Sequence, residues 1–159
     1  MTPHDELYFV RLPLLEGLRV LAETRLAYRL FFWLVGRVTR EYRTPWGIRC
    51  GGVLGLAPQK DYEVAADIVR CSQAPCTAWT VRSWRRALAR LGLIACHQTP
   101  IGLQIFVINS NKMPEDKLVE LPDWALPVLA GPMETYLARH GERGQECTSD
   151  RPVYAGQSG

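Results

Sequence analysis

Between Thr77 and Leu91 the chain carries four arginines, Arg82, Arg85, Arg86 and Arg90, and no acidic residue. A guanidinium is planar, permanently charged and donates hydrogen bonds in a fork, which suits phosphate oxygens and base edges. The spacing predicts where these groups stand. Val81, Trp84, Leu88 and Leu91 recur at i, i+3, i+7 and i+10, the period of one helix face. That face is the buried one, and Arg82, Ser83, Arg86, Ala89 and Arg90 lie largely off it. A cationic face without acids favours a polyanion, because each phosphate contacted also releases a condensed counterion. Near the helix start, Thr77, Trp79, Thr80 and Arg82 are placed to reach base edges in a major groove. A merely solvated face is the competing reading, and four positive charges without a compensating acid weigh against it. Trp84 reads as core, whereas Trp79 either packs on a preceding helix or faces outward.

The elements that must position this helix follow from periodicity and turn residues. Pro13 opens a short helical stretch with Leu14, Leu15, Leu18, Leu21 and Ala22 at helical spacing. Thr24 caps a helix from Arg25 to about Arg40, apolar almost all round from Leu26 to Val35, which predicts either a central helix or a subunit interface. Pro45, Gly47, Gly51, Gly52, Gly55 and Pro58 punctuate residues 43–59, leaving room for one short strand at Ile48 and Cys50 or at Val53 and Leu54. A helix follows from Lys60 or Asp61 to Val69 or Arg70. Ser72 to Cys76 is a turn, Thr77 caps the basic helix, and Gly92 supplies its left-handed C-terminal residue. Leu93 to Cys96 and Leu103 to Ile108 read as two strands around a Pro100–Gly102 turn. Asn109 to Asp116 is a polar linker, a helix start at Pro122–Leu126 is cut by Pro127, and Met133 to His140 form a helix ended by Gly141.

The run from Thr80 to Ile94, Thr-Val-Arg-Ser-Trp-Arg-Arg-Ala-Leu-Ala-Arg-Leu-Gly-Leu-Ile, resembles the recognition helix and first wing strand of winged helix-turn-helix proteins. Leu88, Gly92, Leu93 and Ile94 match that superfamily's spacing, and the resemblance spans about residues 24–110. It implies double-stranded DNA binding, with the helix in the major groove and the wing on the flanking backbone. Contacts then fall to Thr77, Trp79, Thr80, Arg82, Ser83 and Arg86, with Arg85 and Arg90 nearer the phosphates and Gln98 and Thr99 on the wing. One departure stands out: the wing turn, Gln98-Thr99-Pro100-Ile101-Gly102, carries no Lys or Arg.

The expected architecture is mainly α with a small β-wing, a winged helix-turn-helix with N-terminal and C-terminal helical extensions. Its parts are a partly helical extension (1–23), the winged domain (24–110), a linker and helical segment (111–141) and a flexible tail (142–159). The expected partner is double-stranded DNA, bound as a homodimer through the 25–40 helix, the 123–140 segment or both, in the service of transcriptional regulation. A plasmid or phage replication or partition protein is the alternative within the DNA-binding class. A protein-docking winged helix that binds no DNA is the alternative outside it.

Other chemistry finds little footing. With 159 residues, 47% apolar and 22% charged, the chain has the composition of one globular domain with a core, not of a disordered or disulfide-stapled protein. Residues 1–110 hold 14 Lys and Arg against 8 Asp and Glu, and residues 111–159 hold 5 against 8, so the basic excess belongs to the first two thirds. The longest apolar run, Leu30 to Val35, is far short of the ~20 residues a membrane span needs. The acidic start (Met1 to Glu6) does not read as a secretory signal. Five cysteines without a framework read as reduced thiols in the cytoplasm. Cys71, Cys76 and Cys96-His97 lack the spacing of a zinc finger, and Gly51 to Gly55 lack that of a phosphate loop. No HExxH, GxSxG or Walker pattern occurs, so the expectation is a non-enzyme without metal or cofactor.

Overall fold

Strand replaces helix where the sequence predicted one long apolar helix. The computed structural model describes residues 25–154; the expected extension over 1–23 and the last five residues of the expected tail lie outside them. A 3-10 turn (Arg25–Ala27) leads into α1 (Tyr28–Gly36), which stops four residues before the expected Arg40. Arg37 N–H closes the last turn onto the Leu34 carbonyl at 3.0 Å. Val38, Thr39 and Tyr42, residue types that favour a pleated surface, continue as β1 (Val38–Arg43).

β1 pairs antiparallel with β2 (Cys50–Val53). The two glycines that read as turn residues are strand residues here, because neighbours crowd them. A Cβ on Gly51 would stand 2.6 Å from Val38 Cγ1, and one on Gly52 would stand 3.0 Å from the Tyr42 ring. Glycine inside a strand commonly marks such a close approach. A left-handed turn at Leu54–Leu56 leads on to α2 (Asp61–Ser72) and α3 (Ala78–Arg90). The hairpin β3 (Ile94–Thr99) and β4 (Gly102–Val107) follows, with β4 antiparallel to both β3 and β2. β5 (Val119–Glu120) adds a parallel edge to β1, and α4 (Ala125–Tyr154) closes the described chain.

The sheet order is β3-β4-β2-β1-β5. The expectation of a mainly α chain with a small β-wing is therefore overturned: among the described residues four α-helices stand with a five-stranded mixed sheet, an α/β chain. The hairpin expected as a small wing is two strands of that sheet. Its β4 is held on both sides.

α1 is a central helix. Leu30, Phe31, Trp33, Leu34 and Val35 are all buried within the chain, joined in one core with Leu88, Ile94, Phe106 and Ile108. Ala125, Leu129, Met133 and Tyr136 line the buried face of α4 at helical spacing. Pro127 does not cut α4, because it falls in the first turn, where the missing N–H has no carbonyl to meet. The helix also runs past Gly141, the expected end.

At the β1 end of the sheet, the Glu41 side chain is fully buried. It accepts from the backbone N–H of Lys112 (2.6 Å) and Met113 (3.0 Å) and from the Ser110 hydroxyl. Arg49 stands 3.6 Å away and reaches on to Met113 O (2.6 Å) and Glu115 (2.8 Å). Lys112 Nζ donates to Val38 O at 2.8 Å. Burial lowers the Lys112 pKa, and the Glu41 charge opposes that shift.

Candidate nucleic-acid interface

Thr77 begins α3 as its cap: the hydroxyl accepts from Thr80 N–H at 3.2 Å and lies 2.9 Å from the Thr80 hydroxyl. The two threonines thus satisfy each other at the helix start. Val81, Ala87 and Leu88 face the core. Trp79, Arg82, Ser83, Arg86 and Arg90 are exposed, and their spacing puts them on one stripe. Trp79 is 75% exposed, which decides between its two readings: it faces outward. Arg86 and Arg90 have no ion pair among the described residues, and Arg82 keeps more than half of its side chain in solvent.

Three polar ties hold this helix and the two it packs against. Arg29, from α1, donates to Ser72 Oγ (3.0 Å), Ala74 O (3.4 Å) and Pro75 O (3.3 Å), pinning the turn between α2 and α3, and stacks 5.3 Å from the Trp84 ring centroid. Asp67 of α2 accepts from Trp33 Nε1 and Arg37 Nη2, both at 2.7 Å, which locks α2 to α1. Asp61, in the first turn of α2, takes Arg85 in two hydrogen bonds (2.9 and 3.3 Å) and lies 3.6 Å from Arg82 Nε. Arg85, expected near the phosphates, is thus a link between helices and only 15% exposed. Beside it, burial pushes the Cys96 thiol up to about 11, although the Arg85 guanidinium lowers it in part.

A cleft of about 540 Å³ opens between α3, the start of α2 and the β3–β4 turn. Its walls include Lys60, Tyr62, Arg82, Arg86, Gln98 and Ile101. The turn reaches it because Gln59 and Leu103 exchange backbone hydrogen bonds at 2.7 and 2.8 Å. Gly102, at φ 146°, makes that possible, since a Cβ there would come within 2.8 Å of Gln59 O. Thr99 Oγ1 donates to Gly102 O (2.7 Å) and accepts from Ile101 N–H (3.3 Å), so this hydroxyl closes the turn. Gln98 is exposed beside it, and its amide donates to Thr99 O at 2.9 Å.

The structure therefore gathers Trp79, Arg82, Ser83, Arg86 and Arg90 on one surface, with Gln98 across the cleft. Thr77, Thr80, Thr99 and Arg85 make contacts within the fold. Sequence reasoning missed Asp61, Lys60, Tyr62 and Arg29. No local pattern pairs Asp61 with an arginine 24 residues later, whereas an acid in the first turn of a helix needs no partner to explain it.

His97 Nδ1 lies 2.9 Å from Gln104 Oε1, and the ring stacks on Trp124 with centroids 4.5 Å apart. Burial pushes the Cys50 thiol up to about 12 and raises that of Cys76. Among the described residues no group of three or more His, Cys, Asp or Glu converges to hold a metal ion. No helix among them is long and apolar enough to cross a membrane. No family model, curated protein or solved structure matches the chain.

Proposed function

We propose that this chain binds double-stranded DNA through the exposed face of α3 and serves as a transcriptional regulator. The observation that carries the reading is the stripe Trp79, Arg82, Ser83, Arg86 and Arg90, which is exposed and includes two arginines, Arg86 and Arg90, without an ion pair among the described residues. An unneutralised guanidinium on a convex helix is available to phosphate oxygens and to the O6 and N7 of guanine. The order α2, α3, β3, β4 supports the same reading: one helix braces the next, and the hairpin flanks the surface. A homodimer formed through the 123–140 segment would set two copies of α3 on two half-sites about 34 Å apart. The apolar residues of α1, and Ala125, Leu129, Met133 and Tyr136 of α4, are already taken up inside their own chain, so such a dimer would rest on the outward face of that segment, where Leu126 is exposed.

The test is fluorescence anisotropy with a random-sequence duplex over a salt series, for the native chain and for Arg82→Ala/Arg86→Ala. Affinity is expected to fall steeply with salt, and the double variant is expected to lower the log–log slope by about 2. Absence of binding at low salt by the native chain overturns the reading. The exposure of Trp79 and Ile101 beside an uncharged turn would then favour a protein-docking surface.

A further inference from the structure

We infer that a DNA phosphodiester strand seats in the cleft between α3 and the β3–β4 turn, and that Lys60 supplies the cation the turn lacks. The inference rests on the duplex-binding reading above. It starts from an asymmetry: one wall of the cleft carries Arg82 and Arg86, while the turn opposite, from Gln98 to Gly102, carries no charge at all. A strand lying against that turn would meet cations on one side only.

The fold corrects this. Gln59 is bridged to Leu103 at the turn end of the hairpin, so the next residue, Lys60, is carried to the cleft beside the turn. Its side chain is exposed and has no ion pair among the described residues; its Nζ lies 5.9 Å from the Tyr62 ring centroid. The acid on this wall, Asp61, is engaged by Arg85 and Arg82 and so offers a phosphate little repulsion. Tyr62 and Ile101 are exposed at the rim, where they can pack on deoxyribose. A phosphate between Lys60 and Arg86 is then held from two sides. A contact of this kind fixes register on the duplex without reading sequence.

The test uses the full chain and the same salt series, on random and selected duplexes, with Lys60→Gln, Lys60→Arg and Lys117→Gln. Lys117 is exposed, lies in the 3-10 turn before β5 and does not line the cleft. Lys60→Gln is expected to lower the slope by about 1 and to weaken both duplexes equally, whereas Lys60→Arg keeps the native slope. Lys117→Gln is expected to leave it unchanged. If Lys60→Gln keeps the native slope while Arg82→Ala/Arg86→Ala lowers it, the cleft inference fails and the α3 reading stands. An equal loss in Lys117→Gln reduces the effect to net charge and also overturns the inference. No binding by the native chain overturns both.

Discussion

Two groups of charged side chains stand at different places in this molecule and are built in opposite ways. Around Glu41 the charges point inward: one fully buried carboxylate collects two backbone N–H groups, a hydroxyl and the Arg49 guanidinium. On α3 the charges point outward, and Arg86 and Arg90 collect nothing among the described residues. Taking an ion out of water costs several kcal/mol unless every site on it is met. The first group therefore exists to hold β1 to the 110–115 segment. The second leaves its hydrogen-bonding capacity to whatever arrives from outside. Net charge does not distinguish the two; partner geometry does.

The largest test of this contrast is Glu41→Ala. It strands two backbone donors and the Ser110 hydroxyl in a buried setting, leaves Arg49 with Met113 O and Glu115 alone, and is expected to cost about 3–5 kcal/mol in urea denaturation. DNA affinity per folded molecule should not change. A cost under about 1 kcal/mol would break the comparison, since Glu41 would then be no more than a surface charge.

Arg85 and its neighbours sharpen it within one helix. Arg85→Ala removes a two-point, half-buried tie to Asp61 and is expected to destabilise by about 1.5–3 kcal/mol. Arg82→Ala/Arg86→Ala is expected to cost under about 1 kcal/mol of stability, because exposed ion pairs contribute little. The same double variant loses the salt-dependent binding that Arg85→Ala, refolded and measured below its melting point, retains in larger part. Equal stability costs would mean that the outward face is also structural.

The last effect is alkaline. Cys50, donating to Ile108 O at 3.3 Å, and Cys96, beside Arg85, have thiols raised from 9.0 to about 12 and about 11, chiefly by burial. Burial likewise raises the Tyr42 pKa. The folded chain then holds protons that the unfolded chain releases, so stability should decline as pH rises from about 9 toward 12. The melting temperature across that window checks the sign. Labelling with iodoacetamide at neutral pH should reach exposed Cys71 well before Cys50.

The amphipathic helix, its threonine cap, Gly92 at φ 77° and the β3–β4 hairpin were legible in the sequence, because each is set by residues within a few positions of one another. The outward placement of Arg82, Arg86 and Arg90 was legible for the same reason. Tertiary structure alone decided that Gly51 and Gly52 belong to a strand, since the crowding that demands glycine comes from Val38, Ser110, Tyr42 and Leu56. It alone decided that Arg85 is taken by Asp61, that Glu41 is a buried hub and that Lys60 faces the cleft. Strand pairing and ion pairing join residues far apart in sequence, and such contacts leave no period in the chain. Helical periodicity fixes which side of α3 points outward, but only the packed fold determines which of its charges still lack a partner.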